Sequence, residues 1–371
     1  MSRFAHSRFG GTAVLRRRIT LLAVVSLAVL SGCGGPVKNT SQPFTTVTPS
    51  STGTPNSVVS FNDFEFVSVQ STGQIFTYNI SSGVQVAAVA PYSTPCSDPS
   101  GMAVTSIGSS NIMAVVCFDT GSLITLTVHA DGSLTPLGSV SGLAAPYPGI
   151  VLDGTNLFIP IFGQSGSSNG GVAKVSIASP ANPVITATTT LASPLPGAIV
   201  NPGYLTVAAG NIYVAAGSES DPQSATSTVQ VLNEAGMTLV GSPLVVPHSP
   251  QQIAVQGSVA YVTFYDAAQL ESIDISAPAG IQPLQVLSLA TANSGCSPEP
   301  VALNGNTAYV GCRLQGDIEQ VDVTDPANMQ LSSNTIAGIV SPQRLAFAGN
   351  YLLATSSVSG GKVYLIVPGT H

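Results

Sequence analysis

The sequence predicts an all-β protein built from a repeated unit, and three observations support this prediction. Hydrophobic residues make up 44% of the chain, but 37 glycines and 27 prolines divide them into short runs. After residue 32, no apolar stretch follows the 3.6-residue period of a helix. From about residue 58 onward, one pattern of turns and β-rich runs recurs about every 45–50 residues, which is typical of a repeat architecture.

The N-terminal segment has the composition of an export signal. Residues 3–18 carry five arginines and no acidic residue, and an apolar run of twelve residues follows at 19–30. Twelve residues are too few to cross a bilayer as a helix. We therefore interpret the run as the apolar region of a secretory signal.

The apolar run ends in Leu-Ser-Gly-Cys at residues 30–33, which resembles the lipidation motif of bacterial lipoproteins. In that family the preceding peptide is removed, and the cysteine is acylated on sulfur and nitrogen with chains such as palmitate. The resemblance implies a signal peptide over 1–32, a lipidated Cys33 and a location at the cell envelope, in the outer membrane or at the cell surface. Three acyl chains, at about 0.8 kcal/mol per buried CH₂, anchor a protein stably. An ordinary cleavage site beside an unrelated cysteine is the alternative.

The mature chain is acidic and begins with a polar stretch. Removal of residues 1–32 leaves five basic residues against seventeen acidic ones, a formal charge of −12, so a nucleic-acid partner is not expected. Residues 34–57 are small, polar and rich in Ser, Thr and Pro. The sequence therefore predicts a disordered tether over 33–57 and a folded domain over 58–371.

The repeat predicts a β-propeller. Its turn-plus-strand step is seen in "AAGNIYVAAG" (208–217) and "LNGNTAYVGC" (303–312), and a later strand ends in "VDVTDPANM" (321–329). Four short strands in forty-odd residues are typical of one propeller blade. Seven copies open near Val58, Pro99, Pro148, Pro202, Pro250, Pro300 and Pro342. The prediction is therefore an all-β, seven-bladed propeller of four-stranded antiparallel blades, with six or eight blades as the alternative.

Closure of the ring needs one more strand. The last copy stops after its third strand, at 361–367, which would leave an exposed edge. We expect "SVVSF" (57–61) to supply the fourth strand of this blade from the N-terminal end.

Four of the five cysteines lie in two matching stretches of the repeat, 96–117 and 296–312. In each, the first cysteine precedes an innermost strand and the second ends the next, antiparallel strand, which brings the two Cα atoms within disulfide range. No Cys-x-x-Cys is present and histidines are few, so a zinc site or a redox dithiol is disfavoured. The sequence therefore predicts Cys96–Cys117 and Cys296–Cys312 as structural disulfides of an exported protein.

Residues 303–329 resemble the LVIVD-type repeat of bacterial surface propellers, through their Gly-Asn turn, "AYV" and "VDVTDP". The copy at 121–138, with "HADGSLTPLG", is similar to the repeats of 6-phosphogluconolactonase-like and YVTN-type proteins. These resemblances imply a seven-bladed fold and leave the function open. The chain has no tryptophan, so it lacks the docking motif of quinoprotein propellers and the ending of WD40 repeats.

Polar candidate residues collect at one end of the predicted ring. There, the loops that enter the innermost strands meet the loops that join the second strand to the third, and we call this end the loop face. Its candidates are Asp98, Asp119, Tyr147, Glu219, Asp221, His248, Tyr265, Asp266, Glu299, Arg313, Asp317 and Arg344.

Four of these residues have the chemistry of a lactone hydrolase. Such an enzyme needs a base to activate water and a cation to stabilise the developing oxyanion. His248 or Glu299 could supply the base, and Arg313 or Arg344 the cation. The alternative is a solvated loop histidine and a surface ion pair.

The acidic residues of the loops do not predict a metal site. Glu219 and Asp221 lie two residues apart, a spacing that lets oxygen ligands converge on a hard cation, and they are the alternative candidates for a metal. Their stretch lacks the glycine and the final glutamate of a calcium loop, so solvated loop acids are favoured. Asp274, Asp322 and Asp325 stand at strand ends close to a proline, where side chains of this type stabilise turns. We expect no cofactor.

Two functions are compatible with these observations. The favoured one is a lipid-anchored, non-catalytic propeller that binds an envelope protein or a carbohydrate as a monomer. The second is a lactonase-type hydrolase acting on a sugar lactone at the loop face. A plugged central channel would support the first, and a deep pocket shared by His248, Glu299 and Arg313 would support the second.

Overall fold

The computed structural model describes residues 44–80, 86–87, 89–163, 168–195, 199–217, 227–289 and 296–368. The predicted signal peptide, Cys33, Glu219 and Asp221 lie outside this part of the chain. Within it, no helix is long and apolar enough to span a membrane.

Strands account for nearly all regular structure in the described residues. The first ten are β1 (Phe44–Val47), β2 (Thr54–Phe61), β3 (Phe64–Gln70), β4 (Gln74–Asn79), β5 (Val86–Ala87), β6 (Tyr92–Ser93), β7 (Pro99–Ile107), β8 (Ser110–Cys117), β9 (Ser122–Val128) and β10 (Leu134–Ser141). The next ten are β11 (Val151–Asp153), β12 (Asn156–Ile161), β13 (Gly171–Ser176), β14 (Val184–Thr190), β15 (Asn201–Ala208), β16 (Asn211–Gly217), β17 (Thr228–Asn233), β18 (Thr238–Leu239), β19 (Leu244–Val245) and β20 (Pro250–Gln256). The last ten are β21 (Val259–Phe264), β22 (Gln269–Asp274), β23 (Gln282–Ser288), β24 (Pro298–Asn304), β25 (Thr307–Cys312), β26 (Asp317–Asp322), β27 (Gln330–Ala337), β28 (Pro342–Ala348), β29 (Tyr351–Ser356) and β30 (Val363–Ile366). A 3₁₀ turn at Pro278–Gly280 precedes β23.

These strands form seven antiparallel sheets, which confirms the predicted seven-bladed propeller. Blades 1 to 6 follow one another along the chain and open with β2, β7, β11, β15, β20 and β24. In blades 1 and 4 the outermost strand consists of two short pieces that pair with one third strand. Blade 7 is built from β28, β29 and β30 with β1 on its outside.

The closing strand differs from the prediction. Residues 44–47 pair with 363–366, whereas the predicted closing segment 57–61 lies in β2, the innermost strand of blade 1. The folded domain therefore includes residues 44–57, which the sequence assigned to the tether. The outermost strand of a blade is partly exposed to solvent, so it can be short and rich in threonine. Such a strand has the same composition as a linker.

The hydrophobic core lies between the blades. Each of seven apolar clusters joins one pair of neighbouring blades, including the pair formed by blades 7 and 1. Side chains alternate across each strand: Met113 and Val115 of β8 pack toward blade 1, while Ile112 and Val116 pack toward blade 3. A single blade therefore cannot cover both of its apolar faces.

Prolines mark the beginning of most innermost strands. In six blades the strand register shifts directly after Pro55, Pro99, Pro202, Pro250, Pro298 or Pro342. Proline has no N–H to donate to the neighbouring strand, and a bulge at this point directs the extra residue away from the regular pleat. These extra residues lie at the loop face.

Both predicted disulfides are present. Cys96 is bonded to Cys117 and Cys296 to Cys312, with Cα atoms 5.8 and 4.9 Å apart. Each joins the segment before an innermost strand to the end of the next strand, as the repeat predicted. In the loop-entropy model each bridge contributes roughly 3 kcal/mol of stability.

Two of the buried glutamates, Glu65 and Glu271, have strongly raised pKa values. Burial raises the pKa of Glu65 from 4.5 to about 8, and that of Glu271 to about 7. Neither carboxylate oxygen of Glu65 has a hydrogen-bond partner in the described structure. By strand alternation Glu65 shares the face of Val67 and Val69, which pack against blade 7.

We predict that Glu65 makes the protein less stable as the pH rises. The folded protein holds this proton more tightly than the unfolded chain, so the free energy of unfolding falls between pH 4.5 and about 8. The slope contributed by one such group is at most about 1.4 kcal/mol per pH unit. Glu65→Gln should flatten this slope and stabilise the protein at pH 8, as measured by urea unfolding across pH. Asp63→Asn, at an exposed turn of the same hairpin, is the control and should keep the wild-type slope.

Candidate functional site

Three of the four predicted catalytic residues meet at the loop face. Nη1 of Arg313 donates a hydrogen bond to Oε2 of Glu299 at 3.1 Å, and Nη1 of Arg344 lies 4.0 Å from Oε1 of the same carboxylate. Glu299 lies in the bulge of β24, Arg313 directly follows β25, and Arg344 lies in β28. The group therefore joins blades 6 and 7.

The backbone around Glu299 is fixed by its neighbours. Its carbonyl oxygen accepts a hydrogen bond from the hydroxyl of Thr263 at 2.8 Å. The N–H of Val301, two residues later, donates to the side-chain oxygen of Gln252. Both partners belong to blade 5, so the bulge that carries Glu299 is held by the adjacent blade.

Arg344 extends across the central channel. Its guanidinium lies 4.7 Å from the ring centroid of Tyr204, a cation–π contact. Tyr204 belongs to β15 in blade 4, and blades 4 and 7 are three steps apart, the largest separation that a ring of seven allows. Both residues are more than nine-tenths buried. Arg344 and Tyr204 thus close the channel near its loop-face end.

Aromatic rings continue this network into blade 3. Tyr147 contacts Tyr204 edge-on at 5.8 Å and stacks on Phe162 at 4.6 Å. Gly149 pairs with Tyr204 through an isolated β-bridge, and a Cβ at this glycine would lie 2.7 Å from the Tyr204 ring. The close approach of these two segments therefore requires glycine at position 149.

Burial dominates the electrostatics of Glu299. It raises the pKa of this carboxyl, while Arg344 and Arg313 oppose the rise. Burial also raises the pKa of Tyr204, and the positive charge of Arg344 partly counteracts that effect. Glu299 and its two arginines therefore form a charge cluster at the edge of the channel.

His248 belongs to a different group of residues. Its Nδ1 lies 3.5 Å from Oδ2 of Asp266, and its ring faces Phe264 edge-on at 6.3 Å. These partners follow or end the second strand of blade 5, whereas Glu299 is paired with arginines of blades 6 and 7. The structure thus divides the predicted catalytic set into two groups.

Two further candidates, Asp119 and Asp317, lie close to neighbouring polar or sulfur groups. Oδ2 of Asp119 accepts hydrogen bonds from the N–H and the hydroxyl of Ser97 at 3.0 and 2.8 Å. Cys312, Asp317 and Glu319 bring possible ligand atoms within 4.8 Å of one another. The sulfur of Cys312 is bonded to Cys296, so it supplies no thiolate for a metal.

The acids predicted as turn formers have this role. Carboxylate oxygens of Asp274, Asp322 and Asp325 accept hydrogen bonds from the N–H two residues later. Hydrogen bonds from Ser276 and Thr324 lower the pKa of Asp274 and Asp322, respectively.

Two cavities adjoin Arg344. One, of about 450 Å³, lies in the channel between the innermost strands. The other, of about 180 Å³, opens at the loop face, and we call it the Asp98 cavity. Its wall includes Asn56, Gln70, Asp98, Phe118, Gln343 and Arg344. The walls of these two cavities do not include His248, Glu299 or Arg313. In the described residues, neither cavity is therefore a deep pocket shared by the predicted catalytic residues.

Most residues of the Asp98 cavity were not predicted from the sequence. Asn56, Ser100 and Gln343 are the extra residues of the bulges that follow Pro55, Pro99 and Pro342. A proline followed by a polar residue at the start of these three repeats was the available signal, because bulges often direct side chains into sites.

Comparisons with known proteins give the fold. No family model matches the sequence, and no curated protein matches it. Virginiamycin B lyase from Staphylococcus aureus is similar in structure, with a TM-score of 0.64 at 12% identity, over 89% of this chain and all of that one. The periplasmic gluconolactonase of Pseudomonas aeruginosa has a TM-score of 0.60 at 15% identity, over 80% of this chain and 96% of that one. BamB from Moraxella catarrhalis has a TM-score of 0.57 at 10% identity, over 88% and 98%. At such low identity these similarities show the propeller fold alone.

We predict that Arg344 contributes more to stability than Arg313. Removal of Arg344 leaves the buried carboxylate of Glu299 without its buried partner, and breaking a buried ion pair typically costs about 3–5 kcal/mol. The Arg313 side chain is 38% exposed, so its loss should cost about 1 kcal/mol or less. Urea unfolding of Arg344→Met and Arg313→Met compares the two effects.

A double variant separates the loss of charge pairing from a loss of packing. Adding Glu299→Gln to Arg344→Met should recover part of the lost stability, because no buried carboxylate then lacks its buried counter-charge. Equal effects of the two arginine substitutions, or no recovery in the double variant, would contradict the prediction.

Proposed function

We propose that this chain is an exported, lipid-anchored propeller that binds a ligand at its loop face and catalyses no reaction there. The observation that carries the proposal is the arrangement of charged residues at that face. Arg344 is engaged by Glu299 and by the ring of Tyr204, and Arg313 is hydrogen-bonded to the same glutamate. Beside this internally paired cluster lies the Asp98 cavity, which offers polar groups and an aromatic ring to a ligand.

The anchoring part of the proposal is supported by the sequence. The Arg-rich start, the apolar run and Leu30–Cys33 resemble the export signal of bacterial lipoproteins. Two disulfides in the folded domain are consistent with passage into an oxidising compartment. We expect the mature protein to begin at acylated Cys33 and to lie at the outer membrane or the cell surface.

The proposal predicts that the loop face contacts a partner in intact cells. Leu314 follows Arg313 at this face and is 73% exposed. A photo-crosslinking amino acid at position 314 should give a discrete crosslinked species in the envelope fraction. The same label in place of Leu284, on the outermost strand of blade 5, is the control and should give none. Cys33→Ser should remove the protein from the membrane fraction.

Two results would contradict the proposal. A mature protein with an unmodified Cys33 would refute the lipid anchor. Equal crosslinking from positions 314 and 284, or none from either, would refute the loop face as the binding surface.

A lactonase-type hydrolase is the second candidate, and the setting of Glu299 favours it. Burial raises the pKa of this carboxyl, which makes it a stronger base, and two guanidinium groups lie within 4.0 Å of it. Arg313 is accessible enough to stabilise an oxyanion. The gluconolactonase of Pseudomonas aeruginosa shares the fold, although only the fold is shown to be common.

A lactone hydrolysis assay distinguishes the two candidates. Under the favoured proposal, the full chain should hydrolyse a panel of sugar lactones no faster than buffer does. Turnover that Glu299→Gln abolishes, and that His248→Ala leaves intact, would instead show an enzyme acting at the Glu299 cluster. Turnover that depends on His248 would place the site at the His248–Asp266 pair.

A further inference from the structure

The Asp98 cavity combines residues from four blades. Asn56 and Gln70 come from blade 1, Asp98 and Phe118 flank the first two strands of blade 2, Tyr147 precedes blade 3, and Gln343 belongs to blade 7. The cavity therefore exists only in the closed ring. Its volume of about 180 Å³ is below the roughly 300–1,000 Å³ of pockets for drug-sized ligands, so it accommodates one small ring at most.

Two oxygen atoms of the cavity residues lack hydrogen-bond partners. Oδ2 of Asp98 accepts a hydrogen bond from Nε2 of Gln70 at 2.9 Å, but Oδ1 has no partner in the described structure. Oε1 of Gln343 has none there either. Buried oxygens are normally hydrogen-bonded, so both atoms need a donor. Neither oxygen is accessible to water in the described structure, but both residues are only half-buried, so a rotation of each side chain would bring its oxygen to a ligand hydroxyl.

The charges of the cavity disfavour an ionic ligand. Asp98 and Arg344 have opposite signs and line the same wall. An anion would approach Asp98, and a cation would approach Arg344, whose charge is compensated only on the side of Glu299. Carboxamides, which both donate and accept, make up three further wall residues, Asn56, Gln70 and Gln343. Neutral hydroxyl groups, which also do both, match all of these partners.

Aromatic rings complete the wall. Phe118 is 39% exposed at the loop face, and Tyr147 is fixed by its stacking on Phe162. An exposed ring beside polar groups offers an apolar surface to the C–H face of a sugar, while the polar groups bind its hydroxyls. The Cys96–Cys117 disulfide holds Asp98 close to Phe118, because Asp98 lies two residues after Cys96 and Phe118 directly follows Cys117.

We propose that the Asp98 cavity binds a single neutral sugar ring, with Asp98 and Gln343 accepting hydrogen bonds from its hydroxyls and Phe118 packing against its C–H face. The inference rests on the proposed function, because it names the ligand class of the loop face. In a glycan, this ring would be a terminal residue, since the cavity holds one ring.

Titration of the full chain with simple sugars tests the proposal. Saturation-transfer NMR and calorimetry would compare neutral hexoses with gluconate, glucosamine and alanine, which represent an anion, a cation and a zwitterion. The neutral hexoses should bind and the three charged probes should not. Asp98→Asn should weaken hexose binding about ten-fold or more, because it removes a charge-assisted hydrogen bond. Phe118→Ala should weaken it several-fold through lost ring contact.

The control removes a carboxylate from the same blade at its opposite end. Asp131 lies in the exposed turn between β9 and β10, and Asp131→Asn should keep wild-type affinity. Urea midpoints equal to that of the wild-type protein would show that the cavity variants are folded. A hexose that binds Asp98→Asn and Phe118→Ala as tightly as the wild type would overturn the proposal.

Other outcomes also decide between explanations. Binding of gluconate, glucosamine or alanine in place of the hexoses would overturn the ligand class. No hexose binding together with crosslinking from position 314 would overturn this inference and leave the loop face as a binding surface for another partner. No crosslinking from that position would refute the proposed function itself.

Discussion

The structure depends on the requirement that every blade be covered on both faces. Second strands such as β8 direct alternate apolar side chains to opposite neighbours, so an open row of blades would expose one cluster at each end. The pairing of β1 with β30 removes this problem, because it completes blade 7 and brings it against blade 1. The loop face is a consequence of this closure. The Asp98 cavity uses blades 1, 2, 3 and 7, and the Arg344–Tyr204 contact joins blades 7 and 4.

Two local devices then place side chains at the loop face. The prolines that begin the innermost strands shift the register and direct the extra residue out of the sheet, which accounts for Asn56 and Gln343. The two disulfides act at equivalent points of blades 2 and 6. One holds Asp98 close to Phe118, and the other holds Glu299 close to Arg313. The cysteines are therefore structural in their chemistry, and they also position the residues of both polar clusters.

The sequence predicts the repeated parts of the structure better than the unique ones. Blade number, blade openings and both disulfides follow from patterns that recur along the chain. The closing strand was missed because it occurs once, and its polar, Thr-rich composition resembles that of a tether. The separation of His248 from Glu299 was missed for a different reason. Both residues occupy the loop face, but their partners depend on side-chain directions around a ring, which spacing in the sequence does not determine.

The Arg344 network bears on what the loop face can do. Burying a charge pair costs desolvation that its attraction repays only with good geometry, so such a pair is weak evidence for stability alone. Here it has a geometric consequence. Arg344 and Tyr204 close the channel, and Arg344 lines both the channel cavity and the Asp98 cavity. A ligand that enters from the loop face therefore meets a floor formed by the guanidinium and its partners. Because of this floor, the Asp98 cavity is shallow and can hold only the end of a ligand. A shallow cavity is suited to binding, whereas catalysis usually needs a site that excludes water from the reaction.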